Sequence, residues 1–130
     1  DVLGSRGLGD VYKRQAQKCA DKFISCTPFE VLSYFKNAEL VITDTFHGSI
    51  FSIINHKNFV TLVRKSIGNA YGNEEKLIDL LERLKLKNRI IYNISELEKK
   101  VLEKISYSDV EKIINNYRNN TEKYLKENLK

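Results

Sequence analysis

The sequence predicts an α/β fold, a parallel sheet flanked by helices, and three observations carry that prediction. Short apolar runs rich in β-branched residues, at 40–43, 59–63 and 89–92, alternate with amphipathic helical stretches. Strands separated by helices are economically placed in one parallel sheet, because each helix crosses back over its face. Finally, residues 40–54 read as one strand–turn–helix unit. Leu40, Val41 and Ile42 suit a buried strand, Asp44 to Gly48 a turn, and Ile50, Phe51, Ile53 and Ile54 a buried helix.

The remaining elements follow from local signals. Residues 22–25 read as a short strand. Thr27-Pro28-Phe29-Glu30 starts a helix, with Thr27 as cap, Pro28 at the first helical position and Glu30 closing a capping box. Phe29, Leu32 and Phe35 repeat at helical spacing to about Asn37. The helix after the turn runs from about Gly48 to Asn55. A polar loop with Gly68 and Gly72 spans 64–73, and Asn73 caps a helix striped with Leu77, Leu80, Leu81 and Leu84. Ser95 with Glu98 starts another helix, its inner face formed by Leu97, Val101 and Ile105. Ser108 with Glu111 starts the last, with Val110, Ile113, Ile114, Tyr117, Tyr124 and Leu125 on one side. That helix is about 30 Å long, and its distal end outreaches a three-strand sheet. Phe29, Phe35, Phe46, Phe51 and Phe59 are core candidates.

The 130 residues suffice for one domain with a real core. With 42% hydrophobic and 30% charged residues the chain is globular rather than disordered. No apolar run is long enough for a transmembrane segment, and no signal peptide is evident. Cys19 and Cys26 lack a metal or redox spacing, which suits idle thiols in a cytoplasmic protein. Twenty-two basic and 17 acidic residues leave a charge of +5. Much of that excess is lysine interleaved with glutamate, as on solvated helix faces, so no nucleic acid partner is expected.

Asp1 is not a methionine, so the chain reads as a fragment. Residues 7–15 resemble translated adaptor read-through from environmental sequence assemblies, and 1–15 are set apart as a non-native or disordered leader before a domain at 16–130. Gly4, Gly7 and Gly9 fit neither phosphate-loop spacing.

The candidate site is the turn after the first strand. The carboxyl ends of parallel strands are where open α/β sheets bind ligands. A helix start there offers unpaired N–H groups and a positive dipole end to an anion. His47 adds an imidazole, a group that ordinarily titrates near neutrality and can move protons or pair with phosphate. Its structural reading is a turn histidine bonded to local backbone. Asp44 is equally a turn former, and Arg64 and Lys65 follow the second strand's carboxyl end, where solvated loop charges are also common. His56 reads as a partner of the helix's C-terminal dipole.

Ile42-Thr43-Asp44-Thr45-Phe46-His47-Gly48-Ser49-Ile50-Phe51-Ser52-Ile53-Ile54 resembles the polysaccharide pyruvyl transferase family. The flanks agree in order: Thr27 to Glu30, Lys36-Asn37-Ala38-Glu39, Lys57-Asn58-Phe59, Leu80-Leu81-Glu82-Arg83-Leu84 and Asn88-Arg89-Ile90-Ile91. Together they cover about residues 17–95. The resemblance implies the carboxyl-terminal half of a longer enzyme, one of two Rossmann-like halves in a GT-B-like architecture with the active site between them. Such enzymes move pyruvate from phosphoenolpyruvate onto a sugar of a bacterial surface polysaccharide, as a ketal.

On that resemblance His47 is the catalytic residue, and Asp44, Thr45, Gly48, Ser49, Arg64 and Lys65 bind substrate. Gly48 and Ser49 would supply N–H groups to the donor, and Asp44 would hold the turn or orient His47. The implied partners are phosphoenolpyruvate, a saccharide or lipid-linked saccharide acceptor, and the missing N-terminal domain. The enzyme would be cytoplasmic, at most peripheral to the inner face of the membrane, without cofactor or metal. Two departures stand out. Thr45 occupies a position where some members carry a donor-binding arginine, and Ile67 another, with Arg64, Lys65 and Lys76 nearby. Two other classes fit the residues. A glycosyltransferase of the same architecture would use a nucleotide-sugar and place Glu74 and Glu75 on its ribose or diphosphate. A non-catalytic binding module would use His47 only structurally.

Overall fold

The computed structural model describes residues 24–65, 67 and 72–129. The chain divides into two compact units, 1–31 and 32–130. Of the first, residues 24–31 are described. Ile24 and Ser25 are irregular rather than strand, and the rest of the short strand expected at 22–25 lies outside the described residues. Helix α1, Pro28–Asn37, begins where expected. The Glu30 N–H donates to Thr27 Oγ1 at 3.3 Å, and the Thr27 hydroxyl returns a 3.1 Å bond to the Glu30 carboxylate. The helix nevertheless buries no residue, and Phe29 is 83% exposed, which removes it from the expected core.

The second unit holds a three-strand sheet in the order β1-β2-β3, all parallel: β1 Leu40–Thr43, β2 Asn58–Leu62 and β3 Ile90–Ile91. Strand β2 is central, with Phe59, Val60 and Thr61 fully buried. Strand β1 is not the buried strand its composition suggested. As an edge strand it alternates, with Leu40 and Ile42 exposed and Val41 and Thr43 half-buried. Helix α2, Phe46–Ile54, links β1 to β2, and α3, Glu74–Arg83, lies between β2 and β3. The leucine stripe is the core: Leu77 and Leu81 are fully buried, with Leu84 nearly so. They pack with Ile53, Phe59, Val63, Leu86, Ile90 and Val110.

Both α2 and α3 end in the same device. His56 (φ 51°) and Lys85 (φ 56°) take left-handed backbone conformations just past the helix ends. The next residues, Lys57 and Leu86, bond back to Ser52 and Leu81 at 2.9 and 2.7 Å, a Schellman closure. Neither position is glycine, so each carries a backbone cost. His56 stacks on Tyr107, with ring centroids 4.6 Å apart, and meets Glu111 at 3.0 Å. Burial holds the Tyr107 phenol well above its ordinary value, as its hydroxyl donates to the Lys57 carbonyl.

The third strand is shorter than expected. Residues Lys87–Arg89 form a 3-10 turn, so Arg89 precedes β3 rather than opening it, and Tyr92 lies beyond. Arg89 is completely buried. Its guanidinium donates to the carbonyls of Phe59 (2.7 Å) and Glu103 (2.9 Å) and to Asn58 Oδ1 (2.9 Å). Burial pulls its pKa down, against the opposing pull of the Glu103 and Tyr107 charges. It is the internal tie between β2, β3 and the segment after α4, Leu97–Leu102.

Two capping motifs fall upstream of their expected places. Asn93 and Glu96, not Ser95 and Glu98, form the capping box, around a 3-10 turn Ile94–Glu96 that leads into α4. The box wins because the chain leaves β3 at Ile91, two residues before Asn93. Helix α4 ends at Leu102, so Ile105 belongs to the linker instead. Helix α5, Tyr107–Asn128, is preceded by Ser106, whose hydroxyl bonds Asp109 at 2.8 Å, while Glu111 is taken by His56. Only Val110 of α5 is buried. Ile113 and Ile114 touch the core, but Tyr117, Tyr124 and Leu125 are exposed, so the expected inward face stops after two turns.

Two predictions follow from these ties. Arg89→Ala leaves three acceptors without their donor and a void, and is expected to cost about 3 kcal/mol in urea unfolding. Glu96 accepts bonds from the Tyr92 and Asn93 N–H groups, which hold its carboxyl below the ordinary value of 4.5. The unfolded chain therefore binds that proton first, and the stabilisation is lost as pH falls below about 4.5. Glu96→Gln is expected to flatten this acid limb in unfolding curves across that range.

Candidate active site

The turn after β1 is built from threonines. Thr45 is the cap of α2, in extended conformation (φ −111°, ψ 149°), and its hydroxyl accepts from the Gly48 N–H at 3.0 Å. Thr43 Oγ1 accepts the Thr45 N–H at 3.2 Å and lies 3.1 Å from Thr45 Oγ1. The helix thus begins two residues earlier than expected, and His47 sits in its first turn rather than ahead of it.

This start depends on close approach. A Cβ built on Gly48 would lie 2.2 Å from Thr43 Oγ1 and 2.7 Å from Thr45 Oγ1. Ser49 and Ser52 share its buried face. Ser49 Oγ bonds the Thr45 carbonyl at 3.0 Å and meets Thr61 Oγ1 of β2 at 2.9 Å, and Ser52 Oγ returns to the Gly48 carbonyl at 2.8 Å. The apolar reading of α2 missed this face. Ile53 is buried as expected, but Ile54 is 63% exposed, because small hydroxyl residues occupy the positions nearest the sheet.

The threonine cap decides which donors remain. The Gly48 and Ser49 N–H groups, read from the sequence as anion donors, are both given to Thr45, to its hydroxyl and its carbonyl. The first-turn donors without such a partner belong to Phe46 and His47. The His47 side chain is exposed, and its ring contacts are edge-on to Phe46 at 5.8 Å and tilted to Phe51 at 6.4 Å. It makes no hydrogen bond to another described residue.

The charged candidates separate into two pairs. Asp44, at the end of β1, meets Arg64 at 3.2 Å, with both side chains about half exposed. Lys65 instead lies over the ring of Tyr92, 5.7 Å from its centroid, just beyond β3. All four follow carboxyl ends of parallel strands, but His47 contacts none of them.

One residue the sequence reading assigned elsewhere joins these loops. Asn73 precedes α3, yet its side chain does not cap the helix. The amide N–H groups go to the Asp44 and Leu62 carbonyls, and its oxygen accepts the Arg64 N–H at 2.7 Å. Beside it, Phe46, Gly72, Glu74, Glu75, Lys76 and Leu77 line an open cleft of about 570 Å³. Ile67 is 78% exposed. Among the described residues no three His, Cys, Asp or Glu side chains gather as a metal site, and no helix is long and apolar enough to cross a membrane.

The structure is that of an α/β protein whose first parallel strand leads into a helix with a histidine and two unclaimed N–H groups in its first turn and a guanidinium in the neighbouring loop. Residues 6–66 of the chain match the family model for polysaccharide pyruvyl transferase, which bears out the family resemblance drawn from the Asp44 to Gly48 turn. The matched segment contains β1, α2, β2 and every candidate site residue. The leucine helix and the third strand lie beyond it. No curated protein and no solved structure matches the chain significantly.

The close approach is directly testable. Gly48→Ala forces its methyl into Thr43 and Thr45, and is expected to cost about 2–3 kcal/mol of stability in denaturant unfolding. Adding Thr43→Ala, which removes the nearest atom, should restore part of that loss.

Proposed function

We propose that this chain is the carboxyl-terminal half of a polysaccharide pyruvyl transferase with GT-B-like architecture. It would transfer pyruvate from phosphoenolpyruvate to a saccharide, free or lipid-linked, as a ketal in a bacterial surface polysaccharide. The observation that carries this reading is the placing of His47: an exposed imidazole beside the two unclaimed N–H groups of α2, within the family-matched segment. The overall reaction joins two sugar hydroxyl oxygens to C2 of the donor. The C2=C3 double bond becomes single as C3 takes one of the two hydroxyl protons, the C2–O bond to phosphate breaks with its electron pair on the phosphate, and the phosphate takes the second proton, so that ketal and phosphate are the products.

In this scheme His47 relays protons between the hydroxyls and the donor. The donor's anionic end lies at the start of α2, with Asp44 and Thr45 shaping the turn and Arg64 and Lys65 supplying positive charge from the next loop. Gly48 and Ser49 bind indirectly, by fixing the helix start. The other half of the enzyme closes the site from the opposite side, so this chain alone is inactive. The reaction belongs in the cytoplasm, at the inner face of the membrane where the acceptor is lipid-linked.

The test is phosphate release from phosphoenolpyruvate by the full-length protein, with saccharide acceptors, against its His47→Ala variant. Acceptor-dependent release that falls by about 10²–10⁴ in the variant is expected for a lost proton-transfer group. Turnover of a nucleotide-sugar without phosphoenolpyruvate consumption would replace this reading with glycosyl transfer. Full activity in the variant would reduce His47 to a structural role.

A further inference from the structure

We infer that Asn73 is a positioning residue for the donor anion, acting through Arg64; the inference rests on the pyruvyl transfer reading above. Arg64 stands in a loop beyond the end of β2, where nothing in the strand ladder fixes its backbone. Asn73 fixes it from both sides. Asn73 Oδ1 accepts the Arg64 N–H at 2.7 Å, and the Asn73 N–H donates to the Arg64 carbonyl at 3.1 Å. The same side-chain amide then reaches the carbonyls of Leu62 and Asp44, the residues that end β2 and follow β1. One side chain therefore sets the distance between two loops.

The guanidinium direction follows from this. With its backbone fixed, Arg64 leans toward Asp44, their charged atoms 3.2 Å apart, and so toward the turn that starts α2. A guanidinium has five N–H groups in a rigid fork. Here a single nitrogen meets Asp44, and the half-exposed remainder is available to a carboxylate or phosphate at the helix start. An asparagine serving only as a helix cap would aim its oxygen at the first turn of α3. Asn73 does not, and spends both ends of its amide on the loops that carry Asp44 and Arg64.

The experiment is calorimetric titration of the full-length protein with phosphoenolpyruvate, for Asn73→Ala, Arg64→Ala and the double variant, with thermal midpoints measured alongside. Asn73→Ser, which keeps a small polar side chain, serves as the milder variant should the alanine form fold poorly. A positioning role predicts about tenfold weaker binding in Asn73→Ala, a smaller loss in Asn73→Ser, and no further loss when Asn73→Ala is added to Arg64→Ala. The inference is overturned if Asn73→Ala binds as tightly as the unmodified protein, or loses the same factor with and without Arg64. Failure of the unmodified protein to bind phosphoenolpyruvate would instead overturn the pyruvyl transfer reading itself.

Discussion

The contact on which the site depends is the one between Gly48 and Thr43. A strand and the helix that follows it are normally held apart by side chains. Here the first turn of α2 is drawn against the last residue of β1 until even one methyl has no space. That proximity lets Thr43 and Thr45 divide the work of ending the strand and starting the helix. It also decides which donors are consumed, Gly48 and Ser49, and which remain, Phe46 and His47. The buried Ser49–Thr61 bond extends the same constraint to the central strand. Small hydroxyl residues are used because a larger apolar side chain would push the helix away, and with it His47.

Most of the architecture was legible because it follows from periodicity. The three strands, their parallel order and the Leu77-Leu81-Leu84 stripe come from apolar spacing and from helices lying between strands. The errors share a cause. Hydropathy says which residues tend to be buried, but not how much cover a particular site has. Leu40, Ile42, Phe29 and Ile54 are apolar and exposed, whereas Ser49, Ser52, Thr61 and Arg89 are polar and buried. Three of those four polar residues find partners in tertiary structure, Thr61 with Ser49 and Arg89 with Phe59, Asn58 and Glu103, and such pairings have no local signature, while Ser52 bonds back to Gly48 within its own helix.

The candidate site shows the same division. His47 and Asp44 were legible because strand–turn–helix geometry and a short motif place them. Asn73 was legible only as a cap. The two capping assignments that moved, at Ser95 and Ser108, moved because several Ser, Asn, Asp or Glu residues stand within a few positions of each other. Local propensity cannot choose among them. Where the chain leaves its strand, or what the side chain can reach across the fold, makes the choice.

The two ends of the sheet show why the proposed role falls to Arg64 and not to Arg89. Each end is tied by one polar side chain, Arg89 at the amino end and Asn73 at the carboxyl end. Arg89 is completely buried and bonds three acceptors, so its guanidinium is rigid and has little left to offer. An anion could approach it only by displacing the carbonyls of Phe59 and Glu103. Arg64 is the converse, its backbone as firmly fixed but its guanidinium half exposed against one carboxylate. Asp44 holds that charge in place weakly, as exposed ion pairs do, so an incoming phosphate or carboxylate can share or replace it at small cost. A fixed backbone with an unsaturated charged tip is the arrangement anion capture requires. In this fold it stands at the end of the sheet where α2 begins.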